Sequence, residues 1–368
     1  MSISRPVQHG GQTLERRFVL EVGRYGWSGD PEHLDIQDDL LAGQDLLDWS
    51  FLTTQLYRHR LLGLCWRMLT GPWSACGGRL PRGHALYETW YRATTYRNRV
   101  MRNEIRRIAE ALRKAHVEAV LRRGPALIGH AYDDIGVRPM SDIDLLVRPG
   151  HEEAFMTTMT GLGYLTGTLS SDKARIVEEK NYSSHLSRLL LATEDTMLPF
   201  IIVDPENSIV CGDSNYGLAA EEIFDTAGDS GDSKPGSMQV MAAHHLAIDL
   251  CTHLYEESTQ TEYVRRGRFQ RIMQYVDVLA IAVETDWDAV IATARRHRLS
   301  ASLYFAVENA RRLYPDSPIS PGVADRLASD AAVTPDFADR YGMDAAAGSC
   351  SWQIGIVERM FTDSLPTT

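Results

Sequence analysis

Apolar residues recur at three- and four-residue spacing over residues 13–25 and again over 45–69, which predicts amphipathic helices in the first part of the chain. A glycine- and proline-rich run at 71–83 breaks that pattern, and an arginine-studded helix is predicted from about 85 to 115. Beyond it the period shortens. Residues 117–121 read as a strand, Arg122-Arg123-Gly124 closes it, and residues 125–132 read as a helix with proline at its first position. A strand over 142–147 follows, then a helix over 149–162 ended by Gly163-Tyr164, a strand over 183–189 and a hairpin turn at 192–196. The turn leads into an apolar strand over 198–204, which Pro205 should stop because it has no N–H to donate. Residues 225–236 read as a polar, glycine-rich loop, either a lid or a disordered connection, and 240–255 as an apolar helix. From Pro315 onwards proline, small residues and acids dominate, and only short helices are expected. The pattern predicts an α+β chain, with a small mixed-sheet core at 116–212, helical regions at 1–115 and 213–314, and a tail of unassigned role at 315–368.

Candidate chemistry sits in that core. The run Arg138-Pro-Met-Ser-Asp142-Ile-Asp144-Leu-Leu-Val147 carries two carboxylates two residues apart at the start of an apolar stretch. Strand side chains alternate, so Asp142 and Asp144 share one face while Ile143 and Leu145 take the other. Like charges that close raise each other's pKa unless a cation stands between them. A hard divalent ion with oxygen ligands and open positions for water and phosphate is the natural choice, which favours magnesium over zinc. The bland alternative is a pair of solvated acids at a strand start. What precedes the pair adds to it: a strand, a glycine turn and a helix N-terminus, whose free N–H groups and dipole suit a phosphate.

At this point the chain resembles a known family. Leu121-Arg-Arg-Gly124-Pro-Ala-Leu, then Arg138 to Val147, then Gly161-Leu-Gly163-Tyr164, is similar to the uncharacterised nucleotidyltransferase family within the DNA polymerase beta-like superfamily, over most of the chain up to about Tyr314. The resemblance implies a nucleotidyltransferase core in which Asp142 and Asp144 hold magnesium or manganese and a third carboxylate on a later strand completes a two-metal site. The strand over 198–204 ends in Asp204, the first choice for that acid, with Phe200 and Ile202 on its face; Glu206 is the second choice, and a plain turn acid before proline is the alternative. Arg123, Gly124, Arg138 and Ser141 are the expected nucleotide-binding residues. The implied reaction is in-line attack by an acceptor on the α-phosphate of a nucleoside triphosphate, ATP included, with release of pyrophosphate. Two features depart from the superfamily: Gly124-Pro125 stands where a Gly-Ser turn is usual, and Arg123-Gly124 where the family often has Lys-Gly. They keep open a non-catalytic nucleotide- or partner-binding accessory protein of the same fold, and transfer of the terminal phosphate in the manner of a kinase also stays open.

Charge narrows the acceptor. With 38 basic and 49 acidic residues the formal charge is −11, so the whole-chain field opposes a polynucleotide, and a small-molecule, peptide or protein acceptor is expected. The 5 widely spaced cysteines form no Cys-x-x-Cys pair, and there is neither an apolar signal core nor a run long enough to cross a bilayer; a soluble, cytoplasmic protein is expected.

The remaining clusters carry two readings each. Arg92, Arg97, Arg99, Arg102, Arg106, Arg107 and Arg113 form either a basic wall or a solvated helix face partnered by Glu104 and Glu110. Lys180 and His185 are candidates to face the nucleotide. Arg265, Arg266, Arg268 and Arg271 could meet a phosphate, though a solvated face is the simpler reading. His244, His245 and His253 match no zinc motif and are read as packing residues. Asp48-Trp49 with Arg58-His59-Arg60-Leu61 recurs, at the same spacing, as Asp286-Trp287 with Arg296-His297-Arg298-Leu299. The repeat is read as a capped helical packing unit rather than as two substrate-binding histidines.

Overall fold

Ala119-Val120-Leu121 and Ile143–Val147 are short, buried at every position and apolar but for Asp144, as strands are when both faces of a sheet are covered. In the computed structural model, which describes residues 8–9, 12–29, 38–170, 175–178, 186–210, 217–229, 238–265, 271–344 and 348–362, they form the centre of an eight-stranded mixed sheet. The strands are β1 (Ala119–Leu121), β2 (Ile143–Val147), β3 (Leu165–Leu169), β4 (Ile176–Glu178), β5 (Leu189–Ala192), β6 (Phe200–Glu206), β7 (Gly228–Asp229) and β8 (Gln239–Val240). Their order across the sheet is β7-β8-β1-β2-β6-β5-β3-β4. β2 runs antiparallel to β1 and parallel to β6, with Asp144 opposite Asp204. β5 and β6 form the hairpin, with Ala192 opposite Phe200 and Leu189 opposite Val203. The fold is α+β, as the pattern implied.

The chain divides into two compact units. One comprises residues Ala93–Asp249 and Thr285–Leu299 and contains the sheet. Helix Glu152–Gly161 belongs to it and contributes Phe155 and Met159 to its buried residues. The other comprises Met1–Arg92, Leu250–Glu284 and Ser300–Thr368. Within it, helix Leu14–Ser28 lies close against Ile272–Ala282; a Cβ on Gly23 would collide with the Tyr314 hydroxyl, and one on Gly26 with Leu64 and Val276.

Several expected boundaries move, each for a local reason. The helix expected at 125–132 is a single short one, Arg123–Leu127, so Pro125 is its third residue, a position whose N–H has no intrahelical acceptor in any case. β6 does not stop at Pro205. Its β5 neighbour pairs only as far as Val203, so β6 continues alongside β2 alone, and Glu206 closes the strand opposite Leu146. Asp204 is therefore a strand residue, not a turn acid. Of the strand expected at 183–189, residues 183–184 and His185 lie outside the described residues, as does Lys180; the strand that pairs with β6 is Leu189–Ala192, with 186–188 before it. Of the loop expected at 225–236, Gly228–Asp229 is the edge strand β7 and residues 230–236 lie outside the described residues; Val240, expected to start a helix, belongs to β8, so that helix begins at Ala243.

The internal repeat is a matched pair of helices, Trp49–Arg58 and Trp287–Arg296. The Asp48 carboxylate accepts from Ser50 and Phe51 N–H, and the Asp286 carboxylate from Asp288 and Ala289 N–H. Each helix closes through a histidine and an arginine in the left-handed region, Arg60 at φ 61° and Arg298 at φ 59°, and the next leucine N–H bonds back to Leu56 or Ala294. His59 is buried and accepts the Ile272 N–H, while His297 meets Glu222 at 2.9 Å.

Along helix His84–Lys114 the solvated-face reading holds for Arg92 with Glu88 and Lys114 with Glu110, whereas Glu104, which holds Arg107, is buried and also accepts the Tyr164 hydroxyl.

Candidate active site

The site is built on the parallel pair β2 and β6. Asp144 is the one acid in an otherwise apolar strand, and register sets it opposite Asp204. Asp142 lies one residue before β2, and Ser141 donates its hydroxyl to the Asp142 Oδ1 at 2.8 Å. Along β6 burial alternates, with Ile201, Val203 and Pro205 buried and Phe200, Ile202, Asp204 and Glu206 half-buried, so Glu206 shares the face of Asp204. Both choices for the third carboxylate are thus on the same side of the sheet.

Arginines hold these acids. Arg123 Nη1 donates to Asp144 Oδ1 at 3.1 Å, its Nη2 lies 3.4 Å from Glu206, and its Nε lies 3.9 Å from Asp249. Its backbone stands at φ 46°, a left-handed conformation that costs a non-glycine residue about 1 kcal/mol. Beside it, Arg122 is buried; it grips Asp249 through Nη2 at 2.6 Å and Nε at 3.2 Å and reaches Glu206 through Nη1 at 2.5 Å. Arg188 immediately precedes β5 and, continuing the hairpin register, falls opposite Asp204, to which Nη2 donates at 2.6 Å.

Burial pushes the Asp144 carboxyl up to about 7. The charge of Arg123 opposes that rise, those of Asp142 and Asp204 add to it, and Arg122 opposes it. Any cation brought to Asp144 would oppose that rise and favour its ionised form.

The other expected nucleotide residues also converge. The Arg138 guanidinium lies over Gly124, where a Cβ would collide with Nη1. Behind them, buried Asn98 clamps the segment leading to Ser141. Its amide donates to the carbonyls of Ile135 at 2.7 Å and Arg138 at 2.8 Å, and its carbonyl accepts the Met140 N–H at 3.2 Å. Of the remaining arginine candidates, Arg265 ends a short helix and Arg271 precedes helix Ile272–Ala282; Arg266 and Arg268 lie outside the described residues.

Sequence reasoning missed Arg122, Arg188, Asp249 and Asn98. A lone acid in the apolar run Leu246-Ala-Ile-Asp249-Leu-Cys is a signal for a buried ion pair, and counting back from the hairpin would have placed Arg188 beside Asp204. Arg122 and Asp249 lie 127 residues apart in sequence, a separation that no local pattern spans.

The donor set fits a hard divalent cation: Asp142, Asp144 and Asp204 offer only carboxylate oxygens on one face. With Glu206 and Asp249 they make five acids, four of which meet Arg122, Arg123 or Arg188. Among the described residues no three His, Cys, Asp or Glu side chains already surround one ion position; Asp144 and Asp204 are turned to guanidinium groups instead. No described helix is long and apolar enough to cross a membrane.

A family model described as "Uncharacterised nucleotidyltransferase" matches residues 45–315, which include the whole of this site. No curated protein matches the chain.

Proposed function

Since the chain belongs to the uncharacterised nucleotidyltransferase family, we propose that it moves a nucleoside monophosphate from a nucleoside triphosphate to a small-molecule, peptide or protein acceptor, with magnesium or manganese held by Asp142, Asp144 and Asp204. The observation that carries this reading is the register of β2 and β6, which sets Asp144 directly opposite Asp204 with Asp142 two residues away. The bound ion supplies neutralisation of the triphosphate and a lowered pKa for the acceptor's attacking group.

The chain's own residues do the rest. Arg123 and Arg138 donate to phosphate oxygens, and Gly124 leaves the space in which the Arg138 fork lies. Ser141 orients the Asp142 carboxylate through its 2.8 Å hydrogen bond. Asp204, with side-chain exposure of 28% against 11% for Asp144, is the acid open to an incoming acceptor and takes its proton. An oxygen or nitrogen of the acceptor forms the new bond to the α-phosphorus, the bridging bond to the β-phosphate breaks, and pyrophosphate leaves. The net charge of −11 disfavours a polynucleotide in the acceptor role.

The test is thermal stability of the wild type and of the Asp142→Ala, Asp144→Ala double variant with each nucleoside triphosphate, with and without magnesium. At least one triphosphate should raise the wild-type Tm only when magnesium is present, and the double variant should fold but lose that rise. A rise of equal size in the double variant would remove these acids from the mechanism.

A further inference from the structure

Two kinds of arginine meet the acidic cluster. Arg122 and its partner Asp249 have side-chain exposures of 2% and 1%, and their bidentate pairing makes them a fixed, desolvated unit. Arg188 and Asp204 differ. Their exposures are 47% and 28%, and a single Nη2–Oδ2 hydrogen bond of 2.6 Å joins them at the end of the β5–β6 ladder. A solvated pair of this kind exchanges partners at little cost. Arg188 also feels the charges of Asp142 and Asp144, so it stands within electrostatic range of all three acids.

Resting on the nucleotidyltransferase reading above, we infer that Arg188 is an exchangeable counter-ion, paired with Asp204 while the site is empty and transferred to the phosphates when a metal–triphosphate complex enters. A free divalent cation must displace the guanidinium from Asp204 and leave it facing the new positive charge. A metal–triphosphate complex instead brings the cation for the carboxylates together with phosphate oxygens for the guanidinium, so both partners are replaced at once. A guanidinium fork suits a phosphate as well as it suits a carboxylate. Arg123 is not the exchanging residue: its side chain is 15% exposed and lies among Asp144, Glu206 and Asp249, so it keeps carboxylate partners when it also meets a phosphate oxygen. Arg188 thereby couples metal binding to nucleotide binding and keeps the site from filling with metal alone.

The test uses full-length wild type, Arg188→Gln, Arg188→Lys and the Asp142→Asn, Asp144→Asn double variant, each checked for folding by circular dichroism. Mn²⁺ alone is titrated and followed by the paramagnetic resonance of unbound ion; the Mn²⁺–tripolyphosphate complex, which carries no base, is titrated by calorimetry. Arg188→Gln should bind free Mn²⁺ roughly two- to fivefold tighter than the wild type, the range an exposed ion pair can supply, and the Mn²⁺–tripolyphosphate complex more weakly. Arg188→Lys should lie between the two on both scales. Opposite signs are the signature, since a residue that merely held the hairpin together would weaken both or neither. Free Mn²⁺ bound no tighter by Arg188→Gln than by wild type would overturn the exchange while leaving the metal site standing. Binding of both probes by the Asp142→Asn, Asp144→Asn variant as tightly as by wild type would instead overturn the metal site, and the exchange with it.

Discussion

Gly124 shows how much one missing methyl group decides. It sits in the first turn of a short helix, where alanine would suit the backbone better, yet its open face is where the Arg138 guanidinium lies. Gly124→Ala should therefore leave stability unchanged or raise it by up to about 1 kcal/mol in urea denaturation. The displaced Arg138 should weaken binding of magnesium–triphosphate in the same protein by roughly tenfold, the scale of one charge-assisted hydrogen bond. A loss of stability without a loss of affinity would mean that Arg138 has another purpose there. Arg123 makes the complementary point, holding a left-handed backbone conformation beside Asp144 where glycine would carry no strain. That residue type was legible as a phosphate contact; its hold on Asp144 and Glu206 was not, because both partners come from strands that meet it only after folding.

At the scale of the element, the two capped helices give the cleanest agreement between sequence and fold. Aspartate, ten helical residues, histidine, arginine and leucine recur, and each position does the same work twice: cap, helix, close, left-handed turn and buried anchor. Asp48→Ala and Asp286→Ala should each cost about 1 kcal/mol in chemical denaturation. Asparagine in either place should restore most of that loss, because its side-chain oxygen still accepts the two N–H groups. β6 gives the opposite lesson. Proline reads as a stop when a strand is taken alone, but next to a neighbour that has already ended its missing N–H breaks no ladder on that side, and the strand runs on to carry Glu206 into the cluster. Likewise Val240 reads as the start of a helix from its apolar neighbours, and only the parallel pairing with β1 makes it a strand residue.

For the molecule as a whole, two buried histidines contribute to acid sensitivity. Burial, followed by the charge of nearby Arg58, lowers His59 to about 3, although a Met360 backbone hydrogen bond opposes this and Arg271 adds to the lowering. Burial, with His244 beside it, lowers His245 to about 4. Each group takes up a proton more readily in the unfolded chain, near pH 6.5, than in the fold. Their contribution to stability is thus full above about pH 6.5 and is lost as the pH falls, towards about 3 for His59 and about 4 for His245, at up to about 1.4 kcal/mol per pH unit for each. His59→Asn keeps an acceptor for the Ile272 N–H and cannot titrate, so the Tm of that variant should fall less steeply between pH 6 and pH 4 than the wild type. Parallel slopes would mean that His59 contributes nothing to acid sensitivity.

What the sequence determined by itself is what short-range physics controls. Helical and strand periods, the aspartate caps, the Asp142–Asp144 pair and each of the motifs behind the family resemblance are written within a few neighbouring residues, and alternation along a strand needs no partner to be read. Tertiary structure alone decided which strand lies beside which, and through that register it set Asp144 against Asp204 and Arg188 against Asp204. It also buried Asp249 with Arg122 and brought Asn98 to the loop before Ser141. These pairs join segments from 16 to 127 residues apart, and their contacts depend on sheet order and helix packing, which rest on the summed burial of many side chains and not on any pattern in one stretch.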